Sequence, residues 1–244
     1  MVYYLFIALF VKLITKIIYF PSPDYQFNNI KKSTIYSLKI IAVEILLTIL
    51  YVLIVDNFIR KLSELGILLL QSSFDFLLIA IVILAVLHEK ENLQSIGITK
   101  LNLIKSCILG ILLGIIIFFI VNHSTLKTNQ AINIMTIASL ISFIKYIFVG
   151  FAEEIVFRGY LQTRLIAWQG TTKGYLITAI IFSFWHLPVK LVFQGMNVQT
   201  AFLGCVSLIP YSLVLGYIMH KTINITSVSI LHTFIDWSQS FTIA

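Results

Sequence analysis

Long apolar stretches follow one another along this chain, and most of its charged residues fall between them. A helix that crosses a bilayer needs roughly 20 consecutive, mostly apolar residues. Stretches at about 2–20, 35–58, 66–87, 103–122, 133–151, 174–188, 200–219 and 223–242 reach or approach that length. The expected fold is therefore an all-α polytopic membrane protein with about eight transmembrane helices. A transmembrane barrel is excluded because the stretches are continuously apolar and do not alternate. Composition agrees: 59% of the residues are hydrophobic and 11% are charged, against roughly 25% charged in a soluble domain. Such a chain has no polar coat for water. The sixth stretch is short, and is expected to be a partly inserted or broken helix, covered by protein or lining a cavity.

The charges bear on orientation. No Lys or Arg precedes the first stretch, and Lys12 and Lys16 lie inside it, so it reads as a retained helix and not as a signal peptide. Those lysines are one turn apart and can snorkel to one interface. The net charge of +7 is spread along the chain, which argues against nucleic acid as a partner. Lys31, Lys32, Lys39, Lys90, Lys100, Lys105, Arg164, Lys173 and Lys221 fall in or near odd-numbered connections; Arg60, Lys61, Lys127 and Lys190 fall in even ones. The positive-inside rule then puts the odd connections in the cytoplasm and both termini outside. Cys107 and Cys205 lack metal-like or disulfide spacing and read as small packed hydrophobes. One membrane domain is expected over 1–244. No connection is long enough to fold alone, and the polar groups concentrate from Glu153 onward.

Three constellations carry the chemistry. In Glu153-Glu154-Ile155-Val156-Phe157-Arg158, Glu154 and Arg158 share a helical face and can pair, while Glu153 is turned by about 100° and stays available. A salt bridge that locks a helix end needs one carboxylate; the second needs its own reason at membrane depth. In Phe182-Ser183-Phe184-Trp185-His186-Leu187-Pro188, His186 precedes a helix-ending proline. In the last stretch His232 and Asp236 share a helical face, as a local pair or as one aimed at a reacting centre. Each has a plain structural reading alone. Together they hold the parts of a hydrolytic site: a glutamate base, histidines to hold water or move its proton, and polar groups for an oxyanion. Activated water fits better than a covalent nucleophile, because no Ser, Thr or Cys has a triad-like arrangement. His88, His123 and His220 sit near span ends and read as interfacial.

The order Glu-Glu-x-x-x-Arg, Phe-x-x-x-His, His-x-x-x-Asn/Asp, each near a membrane helix, resembles the CAAX protease and bacteriocin-processing family, also called Abi. Here it is carried by Glu153, Glu154 and Arg158, by Phe182 and His186, and by His232 and Asp236, within residues 145–240. The resemblance implies an intramembrane endopeptidase. Eukaryotic members trim prenylated CAAX tails; bacterial members are linked to peptide maturation, signalling-peptide processing and bacteriocin self-immunity. It also implies roles: Glu153 activates water with help from His186, His232 and residue 236 line the oxyanion side, and Glu154 and Arg158 order the site. Prenyl-protein members have Asn where this chain has Asp236. An ionised aspartate cannot donate to an oxyanion, so Asp236 is expected to orient His232, which then donates. No cofactor is expected. Carboxylate and imidazole are also zinc ligands, so Glu153, Glu154, His186 and His232 are candidate zinc donors, with Glu153, His186 and His232 the set for a metal-dependent enzyme. The expected partners are a peptide or membrane-protein substrate and the lipid bilayer, in the cytoplasmic membrane of a bacterium. A non-catalytic scaffold or immunity protein is the alternative, and a proton-coupled transporter a weaker one, since no inverted repeat is visible.

Overall fold

The computed structural model describes residues 2–20, 27–123 and 136–241. Lys127, the Pro21-Ser22-Pro23 segment, the start of the 133–151 stretch and the end of the 223–242 stretch lie outside them. The regular structure within them is helical: α1 (Val2–Ile17), α2 (Ile30–Val55), α3 (Glu64–His88), α4 (Leu103–Val121), α5 (Ile137–Glu154), a π-helix (Ile155–Gln162), α6 (Thr163–Gln169), α7 (Thr171–Trp185), α8 (Leu187–Val192), α9 (Val198–Thr222) and α10 (Ile225–Gln239). Short 3₁₀ turns occupy Ile59–Lys61 and Leu93–Ile96.

The burial pattern is that of a protein in lipid. The buried stripe of α2 runs Ser33, Ser37, Ile41, Glu44, Thr48, Val52, Val55, a step of three or four residues each time and largely polar. Its outward face carries exposed Leu46, Leu50 and Leu53. A water-soluble helix has the opposite arrangement. Among the described residues, five segments are long and apolar enough to cross a membrane: Ile30–Val55, Glu64–His88, Leu103–Val121, Thr171–Val192 and Val198–Thr222. The chain is thus a multi-pass integral membrane protein. The expected first, fifth and eighth spans correspond to the shorter helices α1, α5 and α10.

The sixth stretch is broken where the sequence suggested. α7 ends at Trp185, His186 adopts φ −79° and ψ −7°, and α8 begins with Pro188 in its first turn. Proline is well placed there because its missing N–H would have no helical partner. After Pro188 the chain stays helical to Val192, and Asn197 caps α9 by accepting from the Thr200 N–H.

α10 is the hub: it packs along α4 and α5, while α9 packs on α7 and α3 on α5. Small residues let these helices close up, as is usual where lipid provides no hydrophobic push. A Cβ on Gly150 of α5 would lie 2.8 Å from the Ser229 carbonyl oxygen and 2.8 Å from Thr233 Oγ1 on α10. That close approach brings the end of α5, with Glu153 and Glu154, against His232.

At the other end of the bundle, Arg164 is wholly buried and pairs with Glu91. It also donates to Ser33 Oγ at 3.1 Å and to the Tyr160 carbonyl at 3.1 Å. Arg164 had been expected as a loop charge. It is instead an internal clamp joining α2, the segment after α3, and the π-helix. Burial, then neighbouring Glu91, raises the Glu89 pKa above the ordinary carboxylate range, against the opposing pull of Arg164 and Ser33.

Candidate active site

Helix geometry turns the two neighbouring glutamates to different tasks. Glu154 is fully buried; its Oε1 accepts from Arg158 Nη1 at 2.9 Å. Arg158 also donates through Nη2 to Ser212 Oγ at 3.0 Å, and its guanidinium lies 3.9 Å over the Phe182 ring. The ring face and two hydrogen bonds together hold this buried cation. The same Glu154 oxygen lies 2.8 Å from His232 Nδ1. A carboxylate paired to arginine only accepts, so Nδ1 carries the proton and Nε2 is the nitrogen presented to the cavity.

Glu153 points the other way. Its Oε2 lies 3.6 Å from His186 Nε2 and 3.7 Å from His232 Nε2, and makes no hydrogen bond within the chain. His186 Nδ1 is 2.9 Å from the Phe182 carbonyl oxygen. A carbonyl only accepts, so His186 donates there and its Nε2 lone pair faces Glu153. The break at His186 frees the ring from the regular course of α7. Phe182 therefore serves twice, with its ring under Arg158 and its carbonyl on His186. Trp185 donates to Thr48 of α2 at 2.8 Å, anchoring the break from behind.

Asp236 Oδ2 lies 3.4 Å from His232 Nε2. His232 thus has a second carboxylate, Glu154, beside the expected Asp236. Glu154 fixes the orientation of His232 through Nδ1, and Asp236 approaches the nitrogen that faces the cavity. All six residues singled out in the sequence meet around one centre: Glu153, Glu154, Arg158, His186, His232 and Asp236.

The centre opens into a cavity of about 440 Å³ between α2, α3, α5, α8, α9 and α10. Its walls include residues passed over in the sequence, among them Tyr51, Gln71, Asp75 and Lys145. Ser212 is another omission; it lies 54 residues from Arg158, and nothing local marks it. Asp75 did carry a signal, as a charged residue inside a predicted span. The zinc set Glu153, His186 and His232 gains no support from the geometry: among the described residues no group of three or more His, Cys, Asp or Glu is placed to hold a metal ion.

The helix bundle thus encloses a carboxylate between two imidazoles and opens beside them on a cavity. Residues 136–238 match the family model described as type II CAAX prenyl endopeptidase Rce1-like, a model of a peptidase family. No curated protein and no solved structure matches the chain.

Proposed function

We propose that the chain is an intramembrane endopeptidase that hydrolyses a peptide bond with water activated by Glu153 and His186. The observation that carries this is the unbonded Glu153 Oε2, set 3.6 and 3.7 Å from two imidazole nitrogens. Those distances are too long for good direct hydrogen bonds and short enough for one water to touch both groups from the side. Glu153 takes a proton as the water oxygen attacks the peptide carbon, and His186 Nε2 accepts from the same water. His232 is surrounded by Glu153, Glu154 and Asp236 and holds a proton on each nitrogen. Its Nε2–H donates to the oxyanion that forms on the carbonyl oxygen. As the C–N bond breaks, the proton held by Glu153 passes to the leaving amine. Glu154, Arg158 and Phe182 keep the imidazoles in place and touch no substrate.

In this reading no cofactor takes part, and the substrate is a membrane-associated peptide or protein tail in a bacterial cytoplasmic membrane. Processing of exported or signalling peptides is favoured over trimming of prenylated tails. The test is mass spectrometry of membrane peptides from cells carrying the wild-type chain, Glu153→Ala or His186→Ala. Loss of a proton-transfer residue typically lowers the rate about 10²–10⁴-fold, so the cleaved product should vanish while the protein level holds. Equal cleavage by both variants would leave the chain a scaffold or immunity protein. Chelators should leave activity intact; zinc-restored activity after chelation would overturn the metal-free reading.

A further inference from the structure

Asp75 on α3 is buried to 3% exposure, lines the same cavity as Glu153, and has one carboxylate oxygen without any partner. Its surroundings orient it. Tyr51 of α2 stacks on Phe74 with ring centres 4.1 Å apart, which fixes the phenol. The Tyr51 hydroxyl donates to Gln71 Oε1 at 3.1 Å. That bond sets which end of the Gln71 amide faces Asp75, and Gln71 Nε2 donates to Asp75 Oδ1 at 2.9 Å. The relay satisfies Oδ1 and leaves Oδ2 as an acceptor with no donor. Lys145, on α5, also lines the cavity, but its Nζ lies 4.3 Å from the centre of the Tyr146 ring and makes no bond to Asp75. Lys145 and Lys190 line the cavity against the carboxyl groups of Asp75, Glu153 and Asp236, so acidic groups outnumber lysines there.

A buried carboxylate oxygen without a donor is costly in a low-dielectric interior, and at membrane depth such a group is a functional site by default. We infer that Asp75 is a substrate-recognition residue that receives a cationic nitrogen of the bound peptide. That nitrogen is a lysine or arginine side chain, or the free α-ammonium group, near the bond to be cut. The inference rests on the peptidase reading for its substrate class and adds a chemical preference to it.

The experiment uses the full chain in phospholipid nanodiscs, with Glu153→Gln to silence hydrolysis. The probes are fluorescent decapeptides of leucine and alanine, carrying a single lysine, arginine or norleucine, each with a free or an acetylated N-terminus. Peptides with a cationic nitrogen should bind at least tenfold more tightly than the acetylated norleucine peptide. Asp75→Asn should reduce that preference to less than twofold while leaving binding of the neutral peptide unchanged. Preference that follows the lysine or arginine assigns the side chain as the source; preference that follows the free terminus assigns the α-ammonium group. Equal binding of all peptides, or a preference that survives Asp75→Asn, overturns the inference. If Asp75→Asn does not fold, Asp75→Glu keeps the charge and a preference of at least threefold must persist; its loss overturns the inference. Because binding is read on a silenced chain, failure here is separate from failure of Glu153 as the base, which cleavage assays report.

Discussion

Asp236 and Phe182 act through the direction of single hydrogen bonds and one ring face. Because Glu154 already orients His232, Asp236 is spared that task, and an amide in its place can donate to an oxyanion. Asp236→Asn should keep activity within about tenfold of wild type, whereas a carboxylate essential to proton transfer would lose about 10²-fold or more in kcat. Phe182→Leu keeps apolar bulk and the backbone carbonyl but removes the ring under Arg158. It should destabilise the protein by about 0.5–2 kcal/mol, read by thermal unfolding, and leave residual activity. At this scale the sequence was informative wherever a group and its partner sit one helical turn apart. Glu154 with Arg158 and His232 with Asp236 were legible for that reason. Ser212, Thr48 and Tyr51 were not, because a hydroxyl on an apolar helix acquires meaning only from a partner on another helix.

Helix packing sets the distance between the two halves of the site. Gly150 lies one turn before Glu154, and its lack of a side chain lets α5 press on Ser229 and Thr233 of α10. Gly150→Val should push the helices apart, cost about 1–3 kcal/mol as overpacking does, and lower kcat by more than its effect on KM, measured with one peptide substrate. A fully active Gly150→Val protein would mean that the glutamate–histidine spacing does not depend on this seam. The break at His186 could be read from Pro188. The π-helix at Ile155–Gln162 could not, since its residues have no pattern distinct from an α-helix. Its place directly after the paired glutamates agrees with the tendency of π-helical turns to occur at functional sites.

Across the whole molecule, the Arg164 clamp and the acids beside it give opposite expectations for two neighbouring residues. The Glu91–Arg164 pair is almost entirely buried. Glu91→Gln strands the arginine and should cost about 3–5 kcal/mol, seen as a large fall in Tm. Glu89 differs: its pKa is raised in the fold, so the folded state favours the protonated form. Its contribution to stability is then present at low pH and is lost as pH rises through the folded pKa. Glu89→Gln should hold or raise Tm at pH 7 and remove that part of the pH dependence; a sharp fall would show that its charge is needed. The sequence counts Arg164 among the charges of a connection, whereas it lies in α6 and is fully buried. A charge lodged inside the bundle looks the same in one dimension as a charge in a loop.

The depth of Glu153 has a consequence for what can be cut. Its side chain is 14% exposed at the bottom of a cavity walled by six helices, while in a regular helix each peptide carbonyl is already engaged in the helix's own hydrogen bonds and shielded by side chains. A helical segment therefore presents its backbone to Glu153 more readily once it is locally unwound. Susceptibility should therefore follow the ease of local unwinding, with glycine or proline beside the scissile bond speeding cleavage and an alanine-rich flank slowing it, in a series of peptides that differ only there. The protein would in this way choose among membrane segments by their helical stability before reading any side chain.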